Sequence, residues 1–176
     1  MFICTNDIVV CDWDLDMLAE ILAVIDRQLD LIVSDWHKSS KTAELPCFER
    51  AEHIIGLGFV ACQGYMTATY GFLNMKKSKA LAAGPLHRSG QRIVEIVNHA
   101  ANYWKHHEEW HVDRSPTNQD RIGAAFDVVE AAGFPIGQDY PLSGVLTALV
   151  EPEPMAFKPL VAMLARWRED LRGDSR

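Results

Sequence analysis

The residues best suited to chemistry in this sequence lie between Arg92 and His106: Arg-Ile-Val-Glu-Ile-Val-Asn-His-Ala-Ala-Asn-Tyr-Trp-Lys-His. The stretch reads as part of a helix running from Gln91 to Trp110. At about 100° per residue, Arg92, His99, Tyr103 and His106 fall within about 60° of arc, with Glu95 and Asn102 beside them. Ile93, Ile96, Val97, Ala100 and Trp104 fill the neighbouring sector and form the expected core face. A solvated helix face is ordinarily built of Lys and Glu. An arginine, two histidines, an asparagine and a tyrosine in one line are instead the groups that handle phosphate. Histidine titrates near neutrality and can move a proton to or from a ribose 2′-hydroxyl or a leaving 5′-oxygen. A guanidinium can hold the non-bridging oxygens as negative charge develops. Asn102 and Tyr103 would orient these groups, and Lys105 would attract a nucleic-acid backbone. Such a set could cleave RNA without a metal, leaving 2′,3′-cyclic phosphate and 5′-hydroxyl ends. Each of these side chains also admits a structural role, bonding to a neighbouring helix at the edge of the core.

The charge distribution permits such a partner. The 176 residues carry 17 Lys+Arg and 24 Asp+Glu, a net charge of −7, which argues against a protein that coats duplex DNA by charge alone. From His53 to Val94, however, there is no Asp or Glu, while Lys76, Lys77, Lys79, Arg88 and Arg92 are all basic. A basic strip on an acidic body can hold a short single-stranded anion, so Lys76, Lys77, Lys79 and Arg88 join Lys105 as candidate RNA-binding residues.

The elements that would position these groups are helices. With 48% hydrophobic and 23% charged residues the chain is of globular composition and about one domain long, residues 1–176. Phe2 to Val10 suits one short strand. Leu18, Ile21, Leu22, Ile25, Leu29, Ile32, Val33 and Trp36 then repeat at helical spacing, after Asp12 or Asp14 as N-cap. A second helix is expected from about Phe48 to Leu73. It is uncharged from Ile54 onward, but its glycines, threonines and Gln63 favour a buried core helix over a membrane span. Its Ala61, Gly64, Ala68 and Gly71 suit close approach of another helix. Beyond the Gln91–Trp110 helix, Pro116 and Gly133 bracket a fourth, Pro141 opens a fifth through Val150, and Met155 to Leu171 forms a sixth. The expected architecture is an all-α bundle of about six helices.

An Arg-x6-His pair, Arg92 to His99, on a late helix of such a bundle resembles the HEPN superfamily of helical nucleotide-binding domains. The Asn-x-x-Lys-His run from Asn102 to His106 is similar to stretches in bacterial HEPN-like proteins. The resemblance covers residues 15–112, with residues 116–172 as additional C-terminal helices. It implies a homodimer whose motifs meet at a shared cleft, and a metal-independent endoribonuclease of a defence or toxin–antitoxin system. Arg92 would then bind phosphate and His99 would be the catalytic histidine, with His106 its substitute. A cognate antitoxin or defence-complex protein would be a further partner. Ile93 departs from the pattern, since the residue after the arginine is usually polar in active members.

Other motifs point elsewhere. His107-Glu108-Glu109-Trp110-His111 is formally H-E-x-x-H, with Glu130 downstream, and resembles the zinc site of gluzincin peptidases. The charged surroundings and the scarcity of strand argue against it, so no metal or cofactor is expected. No Gly-rich phosphate loop follows a strand, and no G-x-S-x-G elbow occurs. Cys4, Cys11, Cys47 and Cys62 form no C-x-x-C pair. With no secretory leader they read as free thiols of a cytoplasmic protein, Cys47 being the most exposed candidate. The alternative function, of a different class, is a non-catalytic helical interaction module or accessory subunit that binds a partner protein.

Overall fold

The computed structural model describes residues 2–3, 10–38, 44–112, 127, 130 and 140–173. Among these, six helices form an all-α bundle: α1 Trp13–Lys38, α2 Glu44–Phe72, α3 Lys77–Leu81, α4 Ile93–Val112, α5 Pro141–Val150 and α6 Lys158–Gly173. In place of one N-terminal strand there are two of two residues, β1 Phe2–Ile3 and β2 Val10–Cys11, paired antiparallel with Phe2 opposite Cys11. The helix expected between Pro116 and Gly133 lies outside the described residues, apart from Asp127 and Glu130, which are helical and exposed.

Helix α1 begins where the sequence supplies a cap. Asp12 Oδ1 accepts the Leu15 N–H at 3.1 Å, filling one of the donors that the first helical turn leaves open. Asp14 and Asp16 sit in the first turn and His37 and Lys38 in the last, as the helix dipole favours. Its buried residues are Leu18, Leu22, Leu29 and Ile32. Ile21 and Val33, assigned by periodicity to the core, are exposed instead. The apolar arc of α1 is wider than the strip its neighbours within the chain cover.

Helix α2 runs through the middle of the bundle, with α1, α4 and α5 packed on it and α6 packed mainly on α1. Its first turn holds Pro46, a place where proline's missing N–H costs nothing. The turn after Phe72 closes it at Asn74, whose left-handed φ of 50° lets the Met75 N–H bond to the Tyr70 carbonyl at 2.9 Å and the Asn74 N–H to the Gly71 carbonyl at 3.1 Å. The glycines that permit close packing are Gly56 and Gly58. A Cβ on Gly56 would lie 1.8 Å from Trp104 Cδ1, and one on Gly58 would lie 2.3 Å from the Phe157 ring. Gly64 and Gly71, expected to meet another helix, face open space. No helix of the described residues is long and apolar enough to cross a membrane.

Two carboxylates from this frame cap the later helices. Glu52 of α2 accepts the Leu142 and Ser143 N–H groups at 2.6 and 2.9 Å and the Ser143 hydroxyl at 2.7 Å, closing the start of α5. Asp26 of α1 accepts the Phe157 and Lys158 N–H groups at 2.7 and 3.0 Å at the start of α6. At the other end of the bundle the second oxygen of Asp12 accepts the Tyr65 hydroxyl at 2.8 Å and Arg168 Nη1 at 2.6 Å, joining α1, α2 and α6. Trp167 is fully buried and donates its indole N–H to the Ala80 carbonyl at 2.8 Å, which fastens α3 to α6. Cys47 and Cys62 are buried and Cys11 half-buried, so Cys47 is not the exposed thiol the sequence suggested. It lies on the inner face of the first turns of α2, and Cys4 is outside the described residues.

Candidate functional site

The N-terminus of α4 is set by a compact loop. Arg92 pairs with Leu86 in an antiparallel bridge, the His87 N–H bonds to the Gln91 carbonyl at 2.8 Å, and the Ile93 N–H bonds to Pro85 at 3.1 Å. Gly84, at φ +88°, lies against the Trp167 ring, where a Cβ would come within 2.8 Å. The same turn directs the Gly84 carbonyl to Arg92 Nη1, which donates to it. Arg92 is half-buried, and this bond uses one of its five N–H donors.

Along α4, Ile93, Val94, Ile96, Val97, Asn98, Ala100 and Ala101 are buried, a wider core face than the sequence reading placed there. Glu95, His99, Asn102, Tyr103 and His106 are half-buried, and Lys105 is exposed. The polar stripe thus exists, but it lies in the margin of the core rather than in open solvent. Arg92, His99 and His106 succeed one another at about 10 Å along the helix axis.

Gln63 of α2 organises one side of the stripe. Its amide nitrogen donates to Asn98 Oδ1 at 3.0 Å and Asn102 Oδ1 at 2.9 Å, and its oxygen accepts Lys105 Nζ at 2.7 Å. Asn102 and Lys105 are thereby engaged with α2. Gln63, Asn98 and Glu95 are the members that reasoning from the motif passed over. The available signal was a single amide side chain in an otherwise uncharged run, because a buried amide requires partners.

His99 has the most unusual surroundings. Its Nδ1 is buried and has no hydrogen-bond partner among the described residues. Burial pushes its pKa below 6.5, Glu95 opposes that shift, and Lys77 adds to it. The neutral imidazole is therefore the form this site favours at pH 7. Lys77 also joins burial in lowering the pKa of Lys105, so the start of α3, His99 and Lys105 share one electrostatic environment. Tyr103 is held protonated, by burial first and by Glu52 second.

The other expected residues are less concentrated. Lys76 and Lys79 are exposed on and beside α3. Arg88 forms an ion pair with Glu151, across from the loop that leads into α4. His107, Glu108 and His111 lie on α4, but their side chains are outside the described residues. Among the described residues no group of three or more His, Cys, Asp or Glu is placed to hold a metal ion.

Comparison with known proteins returns no family model, no curated protein and no solved structure that matches this chain.

Proposed function

We propose that this chain is a HEPN-like helical protein that cleaves RNA by Arg/His acid–base chemistry, acting as a homodimer in a cytoplasmic defence or toxin–antitoxin setting. The observation that carries the reading is His99: a half-buried imidazole with an unpartnered nitrogen, kept neutral, next to Lys77 and on one line with Arg92 and His106. A neutral imidazole is the form that accepts a proton. His99 takes the proton of a ribose 2′-hydroxyl, and the 2′-oxygen attacks the adjacent phosphorus. The bond to the 5′-oxygen breaks, and that oxygen leaves with a proton from water, His106 being the substitute base two turns further along α4 rather than a second group on the same phosphate. Arg92 holds the non-bridging oxygens, while Lys76, Lys77, Lys79 and Lys105 draw in the flanking backbone.

The test is an RNA cleavage assay in excess EDTA, with wild type beside Arg92→Ala and His99→Ala and end-group analysis of the products. Cyclic-phosphate ends that vanish in both variants support the mechanism. Cleavage that survives Arg92→Ala sinks it. The Gln63 clamp favours a second reading, because it uses Asn102 and Lys105 to hold α4 against α2. In that reading the stripe is an interhelix seam of a non-catalytic interaction module. A folded wild type would then release no product above the level of the two variants.

A further inference from the structure

Helix α1 carries apolar side chains around half of its circumference, but the bundle covers only the part holding Leu18, Leu22, Leu29 and Ile32. Beside that strip lies a second one. Trp13, Met17, Ile21, Val24 and Leu31 are 63%, 57%, 43%, 50% and 52% exposed. A single packing face needs an arc of about 100°, so this helix is built to pack on two sides.

The second strip has a defined spacing. Met17, Ile21, Val24, Gln28 and Leu31 follow one another in steps of four, three, four and three residues, which is the repeat of a coiled-coil seam. Gln28, also exposed, is its one polar member. The strip is close to symmetric about Val24, with Met17 and Leu31 each seven residues away, so reversing the helix direction lays it on itself. Glu20 and Arg27 flank the same edge, four residues before Val24 and three after it. Both are exposed, and neither has an ion pair among the described residues. An antiparallel second copy places the Glu20 of one chain beside the Arg27 of the other, and the two-fold axis makes that pair twice. A parallel arrangement sets equivalent charges at the same level instead.

We infer that two copies of this chain associate through the exposed strip of α1, antiparallel about an axis near Val24. Such an interface is isologous and self-complementary. It lies on a helix that contributes nothing to the α4 stripe, so it would hold whether or not the chain cleaves RNA.

The experiment is sedimentation equilibrium of the full chain over a micromolar concentration series. Wild type should fit a monomer–dimer equilibrium. Val24→Glu, which brings two carboxylates together at the axis, should raise the dissociation constant about a hundredfold while leaving the circular dichroism and melting temperature near wild type. Glu20→Arg and Arg27→Glu should each weaken the dimer about tenfold. The double reversal, Glu20→Arg with Arg27→Glu, should restore it. A monomeric wild type overturns the inference and assigns the strip to another occupant. A dimer indifferent to Val24→Glu, or a double reversal that fails to recover, overturns it as well.

Discussion

Asp12→Ala removes one carboxylate that three elements share, and its cost can be assembled from the bonds it breaks. The substitution deletes the N-cap of α1, worth about 1 kcal/mol. It leaves the buried Tyr65 hydroxyl without an acceptor, about 1–3 kcal/mol. It also takes from Arg168 the partner on its inward side, and breaking a buried pair costs about 3–5 kcal/mol. Arg168 keeps Glu169 at 2.7 Å, so the last contribution falls at the low end. Losses within one network are not additive, and about 4 kcal/mol is the expected total. Urea unfolding followed by circular dichroism should show it as a midpoint lowered by about 2 M, taking a slope of about 2 kcal/mol per molar. Asp12→Asn keeps one oxygen, which serves the cap or Tyr65 but not both, and loses the charge, so it should cost less than alanine by about the 1 kcal/mol of the bond it retains. An alanine variant within about 1 kcal/mol of wild type, or an asparagine variant as damaged as alanine, refutes the reasoning.

The same carboxylate makes the fold acid-sensitive, with a sign that can be worked out. Burial alone would raise the Asp12 pKa, but the bonds from Arg168, Tyr65 and the Leu15 N–H outweigh it and bring it below 3.8. A group whose folded pKa is depressed stabilises the fold above its unfolded pKa and loses that contribution as pH falls through the folded value. The Asp12 contribution should therefore be flat near neutrality and disappear below about pH 4, and Asp12→Asn should flatten that limb of the stability curve.

Other expectations follow from single contacts. Gly56→Ala drives a methyl into the Trp104 indole and should cost about 3 kcal/mol in thermal or urea unfolding, whereas Gly64→Ala, facing open space, should stabilise by about 0.5–1 kcal/mol. By proton NMR, His99 should titrate below 6.5, lower still in Glu95→Gln and higher in Lys77→Ala. Since its folded pKa is depressed, stability attributable to it should fall as pH drops below about 6.5. The Cys62 thiol, fully buried and pushed up to about 12, should resist alkylation in the native state at pH 8 and react only on unfolding. Glu52→Ala should loosen α5 at its first turn, seen as faster amide exchange at Leu142 and Ser143 with little change in α4.

Much of the frame was legible because it follows from apolar spacing. The start of α1 after Asp12, the uncharged length of α2 as a core helix and the span from Pro141 to Val150 all come from caps, prolines and periodicity. What periodicity could not give was the width of each covered face. Ile21 lies as well placed for the core as Leu22, and only the position of α2 and α6 decides that one is buried and the other exposed. The glycine reading failed for a related reason. Gly64 and Gly71 stand at regular spacing, but Gly56 and Gly58 are the positions that Trp104 and Phe157 require, and those rings arrive from helices distant in sequence. At the candidate site, periodicity placed Arg92, His99, Tyr103 and His106 on one side of α4. It had no means of showing that Gln63 occupies Asn102 and Lys105, because that contact depends on how two helices cross.

The acidic residues show the same division between local and tertiary information. Counted as charge, Asp12, Asp26 and Glu52 belong to an acidic surface. In the fold each carboxylate accepts main-chain N–H bonds at a helix start, where the dipole favours a negative charge. Asp12 caps its own helix, a relation visible in the sequence as an aspartate before an apolar repeat. Asp26 and Glu52 cap α6 and α5, 131 and 90 residues away. Tyr140 and Phe157, at the heads of those helices, have no short oxygen-bearing side chain to serve as a local cap, and the Tyr140 side chain makes no cap bond. The missing cap is thus the sequence signal that something distant must supply it. The α1–α2 pair supplies both, so α5 and α6 gain satisfied N-termini only when docked on it. The two C-terminal helices are consequently held to the bundle by their ends as well as by their apolar faces.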